Sequence, residues 1–100
     1  MNILIHVRNK IPSLYYGGTE RVVWYLAKEL HELGHKITFL APKESYCDFA
    51  EVIFLDESRS IDSQIPSYIN VVHINDDNFD EKISKPYIVT IHGNPKFNQE

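Results

Sequence analysis

The chain opens with an almost unbroken apolar run, Asn2 to Val7 (NILIHV), and no other feature limits the possible folds as strongly. A strand wetted on one side alternates polar and apolar residues, whereas one that is apolar at nearly every position needs cover on both faces. Parallel sheets flanked by crossover segments supply that cover. Lys36 to Ala41 (KITFLA) repeats the pattern and is closed by Pro42. Between these runs lie a loop, Arg8 to Gly18, broken by Pro12 and Gly17-Gly18, and then a stretch with helical spacing. Strand, helix and strand in this order predict a parallel crossover unit.

Thr19 is placed to cap the helix, with Glu20 complementing its positive end. Val22, Leu26, Leu30 and Leu33 fall on one helical stripe, which is expected to pack on the sheet. Gly34 can take the left-handed conformation that ends such a helix. Glu51 to Leu55, Ile69 to Ile74 and Tyr87 to Ile91 are rich in β-branched residues and predict three more strands. The links between them leave room for short helices around Ser45 to Ala50, Arg59 to Ile65 and Phe79 to Ser84.

The expected fold class is therefore α/β, a Rossmann-like, open, mostly parallel five-stranded sheet. One hundred residues make one domain at most. A single long helix cannot cover two sheet faces, so residues 1–100 are expected to be a partial N-terminal domain of a longer protein. Standing alone, the chain should self-associate or meet a partner over its bare apolar surface.

A chain that is 43% hydrophobic and 24% charged, with four Gly and five Pro, has the composition of a soluble globular domain. No apolar run approaches the roughly 20 residues of a membrane span, and the start is too short for a signal sequence. A cytoplasmic location is expected, with room for peripheral membrane contact. Cys47 alone can form no internal disulfide and no cysteine zinc site. The net charge of −4 argues against nucleic acid as a partner. Residues 1–43 carry six Lys or Arg against three acids and residues 44–100 four against eleven, so an anion site is expected near Arg8 and Lys10.

Ligands of open parallel sheets sit beyond the carboxyl ends of the strands. Two loops are expected there: Arg8 to Gly18, and the segment His92-Gly93-Asn94-Pro95 after the fifth strand. If the fifth strand lies two places from the first, these loops start roughly 10 Å apart, within reach of one sugar-sized ligand. Taken singly, Gly17-Gly18 also fits a tight turn, and His92 a hydrogen-bonded structural residue.

Taken together, the run Tyr16-Gly17-Gly18-Thr19-Glu20-Arg21-Val22-Val23, the helix with Leu26-Ala27-Lys28-Glu29-Leu30, and Gly34-His35-Lys36-Ile37-Thr38 resemble the N-terminus of retaining glycosyltransferases of family 4, which have the GT-B fold. Val71-Val72-His73 and the closing Pro86 to Gly93 (PYIVTIHG) extend the resemblance over nearly the whole chain. It implies a two-domain enzyme that moves a sugar, with retention, from a nucleotide-sugar donor to a saccharide, lipid or small-molecule acceptor. This chain would supply the acceptor side of the cleft and be inactive by itself.

By that resemblance His92 is the catalytic candidate, facing the transferred sugar. Tyr16, Gly17, Gly18, Thr19, Arg8, Gly93 and Asn94 are the substrate-binding candidates. No metal and no cofactor are implied beyond the nucleotide sugar itself as co-substrate. Retention in such enzymes is explained by front-face attack, with helix ends and cations stabilising the leaving phosphate. The family often has a second His two places after the strand-four His, where this chain has Asn75. The alternatives are a noncatalytic α/β binding or assembly module and a sugar epimerase of GT-B shape.

His31-Glu32-Leu33-Gly34-His35 spells a zinc-protease pattern, but Gly34 is expected to end the helix between the two His. No G-x-G-x-x-G follows the first strand, and no Gly-Lys-Ser/Thr occurs, which sets aside dinucleotide and P-loop chemistry. Asp56 lacks the acidic pair of a phospho-receiver, and Asp76-Asp77 fit a solvated turn.

Overall fold

The computed structural model describes residues 1–12 and 18–91, and only the backbone of residues 18 and 19. Five strands form one sheet: β1 (Asn2–Val7), β2 (Lys36–Ala41), β3 (Glu51–Phe54), β4 (Val71–Asn75) and β5 (Tyr87–Thr90). Their spatial order is β3-β2-β1-β4-β5, and every neighbouring pair is parallel. The expected Rossmann-like α/β sheet is present. The order reverses between β1 and β4, the switch point at which such sheets open a crevice.

Alternation along β1 and β2 builds the two halves of the core. Ile3, Ile5, Val7, Ile37, Phe39 and Ala41 meet the helix α1 (Gly18–Glu32) through Val23 and Ala27. Leu4, Leu40, Val72 and Ile74 point to the opposite face, where Ile61, Ile69 and Ile83 of the later crossovers cover them. Both central strands are thus buried on both sides, as their sequences require. Among the described residues no helix is long and apolar enough to cross a membrane.

The helix presents a different face from the one its leucines predict. Val22 is 58% exposed and Leu33 74%, Leu26 is exposed too, and Leu30 is only half-buried, while Glu20, Val23 and Ala27 are buried with Trp24 partly so. The small Ala27 side chain lets the helix sit close to the sheet. Trp24 stacks on Phe39 at 6.4 Å between ring centroids and meets Phe49 edge-on at 5.4 Å. Gly34 ends the region as expected, with φ of 101°. His31 turns to Phe49 while His35 Nδ1 lies 3.1 Å from the Met1 amine, so the two His do not share a helix face.

The three short helices also differ from expectation. Residues 45–50 and 79–84 contain no helix, and the middle link has only a 3₁₀ turn over Asp62–Gln64. Side chains compete for the backbone there: Asp56 takes the Ser58 amide at 2.9 Å, Ser63 N–H donates to Ser60 Oγ at 3.3 Å, and Ser84 N–H donates to Asp62 at 2.9 Å. Segments of two turns gain too few helical bonds to win that competition.

Candidate functional site

The carboxyl ends of β1, β4 and β5 lie side by side, in a register that aligns Val7 with Asn75 and Asn75 with Thr90. Two interstrand steps separate β1 from β5, which puts the start of the Arg8 loop about 10 Å from the end of β5. The ends of β1 and β5, after which the two segments assigned to a ligand edge follow in the sequence, thus share one rim.

Specific bonds fix the described part of the first loop. Asn9 Nδ2 donates to Glu20 Oε2 at 3.0 Å, tying the loop to the first turn of α1. Ile11 N–H donates to Ser45 Oγ at 3.2 Å and its carbonyl accepts from Tyr46 N–H at 2.8 Å, which anchors the loop to the β2–β3 link. Glu20 is buried at the positive end of α1, where its charge is favoured. Sequence reasoning gave Glu20 that electrostatic role and missed Asn9 as its partner.

Across the switch point, Arg8 Nη1 donates to Asp76 Oδ1 at 3.5 Å. Asp76 also accepts from Asn78 N–H at 2.9 Å. The anion site expected at Arg8 is therefore offset by a carboxylate facing the same guanidinium. Asp76-Asp77, assigned to a solvated turn, include one member of this ion pair.

Beneath the rim, His6 is 1% exposed and its Nδ1 has no hydrogen-bond partner among the described residues. Burial lowers its pKa to about 4, against an opposing pull from Asp76 and with a smaller push from Arg8. The ring is neutral near pH 7. Its backbone carbonyl accepts from the buried Asn75 Nδ2 at 3.1 Å, so Asn75 locks β4 to β1. On β4, His73 Nε2 is hydrogen-bonded to Thr90 Oγ1 at 2.6 Å and holds the end of β5 against its neighbour. None of these pairings has a local sequence signal, because the partners are joined by strand order.

Of the predicted site residues, Arg8 stands on the rim, and Gly18 and Thr19 begin α1 beside it. Tyr16, Gly17, His92, Gly93 and Asn94 lie outside the described residues. A crevice of about 280 Å³ opens at the carboxyl edge, with Arg8, Asp56, Arg59, Asp76, Asn78 and Glu81 in its wall. The Ser58 hydroxyl and amide hold the exposed Asp56 carboxyl below the usual carboxylate range. A larger cavity, about 700 Å³, is elsewhere, at the amino edge between Asn2, Lys36, Phe49 and Tyr68. There Tyr68 hydroxyl donates to Glu51 at 2.5 Å, and that bond raises the phenol pKa. Size alone would favour this cavity, but the strand-end loops and the switch point are at the other edge.

Cys47 packs part-buried against the α1-side core, and burial pushes its thiol pKa up, which makes it less reactive. Among the described residues no cluster of three His, Cys, Asp or Glu side chains could hold a metal ion. No protein-family model, curated protein or solved structure matches the chain.

Proposed function

We propose that this chain is the acceptor-side part of a retaining glycosyltransferase that uses a nucleotide sugar. The observation that carries the proposal is the shared rim: β1 and β5 end on the same sheet edge with only β4 between them, and the sequence that follows them carries Gly17-Gly18 and His92-Gly93. The first turn of α1 is tied to the β1 end of that rim by the Asn9–Glu20 bond, and a helix N-terminus suits a diphosphate. In this reading His92 lies by the transferred sugar, Gly17 and Gly18 let the ligand approach the backbone, and Arg8 and Thr19 contact substrate with Tyr16, Gly93 and Asn94. The bare apolar surface of β5 and α1 is compatible with a longer domain that packs more chain there.

The test is sugar transfer from UDP- and GDP-sugars by the full-length gene product, with His92→Ala beside it. Transfer with an unchanged anomeric configuration, reduced at least 100-fold by the substitution, is the expected result. Absence of transfer with every donor rejects the proposal, and equal rates remove His92 from the mechanism.

A second reading, a noncatalytic assembly module, is favoured by one observation: Ile88 is 59% exposed on an edge strand with no charged residue. Sedimentation combined with nucleotide-sugar titration separates the two. Tight self-association without sugar binding favours the module.

A further inference from the structure

We infer that the carboxyl-edge crevice beside Arg8 is a subsite for a neutral saccharide ring, and that anionic ligands are excluded from it. Its assignment as the acceptor subsite rests on the glycosyltransferase reading.

Three strand-end segments build the crevice. Arg8 follows β1, Asp56 and Arg59 follow β3, and Asp76 and Asn78 follow β4. Glu81 closes it from the next link, where its carboxylate accepts from Ile61 N–H at 2.9 Å. Ile61 is buried in the core beneath and also lines the crevice, which gives the wall an apolar patch. Leu55, directly after β3, lines the crevice beside Ile61 and extends that patch. A space of about 280 Å³ is at the small end of ligand sites, of a size for one ring rather than a nucleotide.

The chemistry of the wall selects the ligand class. Each sugar hydroxyl both donates and accepts, so a wall that places carboxylates and guanidiniums close together can satisfy both functions of neighbouring hydroxyls. The C–H face of the ring would lie on Ile61. Charge selects in the same direction: Asp56, Glu57, Asp76 and Glu81 outnumber Arg8 and Arg59, so a phosphate meets net repulsion. Arg8 is already engaged by Asp76, and Arg59 Nη2 donates to the Ser63 carbonyl at 3.2 Å.

The experiment is a titration of the isotope-labelled chain, followed through its backbone amides, with methyl glycosides of the gluco, manno and galacto series. Glucose 1-phosphate and inorganic phosphate serve as anionic probes. Saturable shifts at residues 56–59 and 76–81 with at least one methyl glycoside are expected, with glucose 1-phosphate at least tenfold weaker. Asp56→Asn with Glu81→Gln, which keeps the acceptors of the two local backbone bonds, should weaken binding at least tenfold while amides outside these segments stay in place. Absence of saturable shifts with all three glycosides overturns the inference, as does tighter binding of either anion. Sugar binding here without transfer in the enzyme assay rejects the glycosyltransferase reading alone. Transfer without shifts in the crevice rejects the subsite alone.

Discussion

The centre of the sheet and its β5 edge are built from similar residues and end in opposite conditions. β1 is buried at every position from Ile3 to Val7, whereas in β5 Tyr87, Ile88 and Val89 are all exposed. The difference comes from cover. On the α1 side, the helix and the β2–β3 link lie over β1 and β2. Both later crossovers contribute their apolar residues, Ile61, Ile69 and Ile83, to the other side. On the α1 side, therefore, nothing among the described residues covers Ile88, and Val22 and Leu26 of α1 are bare on the flank turned away from Phe49. An apolar sequence selects the strand, but crossover placement decides which strands become core.

Paired substitutions give the largest expected effect. Phe39→Ala removes a fully buried ring stacked on Trp24 and should cost about 3–5 kcal/mol, enough to unfold much of a domain this small. Ile88→Ala should stay within about 0.5 kcal/mol. Urea unfolding of both variants checks the contrast, and equal losses would show that β5 is covered in solution.

Acidification is the next test of the centre. The folded-state pKa of His6 is lowered from 6.5 to about 4, so the unfolded chain binds the proton more readily between those values. The contribution is fully present above pH 6.5 and is lost as the pH falls towards 4. It amounts to roughly 3 kcal/mol. His6→Phe should flatten the pH dependence of the melting temperature in that window.

Smaller effects lie between the two regions. Asn75→Ala leaves the buried His6 carbonyl without its side-chain donor and should cost about 1–3 kcal/mol by thermal denaturation. Arg8→Ala breaks an exposed ion pair and should change stability by less than about 1 kcal/mol. Loss of ligand binding with stability intact would make Arg8 a binding residue.

The sequence made β1 and β2 legible to the residue, because a continuous apolar run bounded by polar or Pro positions has one use in a parallel sheet. The face of α1 was not legible. Leu26 and Leu33 are stronger apolar signals than Ala27, yet a small residue sets the close approach to the sheet, and the leucines are left outside. The rim was legible as far as the ends of β1 and β5, which the parallel order places on one sheet edge. Its bonds were not, since Arg8 meets Asp76 and Asn75 meets His6 only after β4 has been placed beside β1.

The most direct measurement is paramagnetic broadening from a spin label on Lys10→Cys, with Cys47→Ser to keep the label unique. If β1, β4 and β5 end on one side, the amides of Asp76 to Asn78 and Ile91 broaden while those of Lys36, Tyr68 and Asn70, about six residues of strand away, remain sharp. Broadening at Lys36 and Asn70 with sharp signals at Asn78 and Ile91 would place the turns at opposite ends and remove the site.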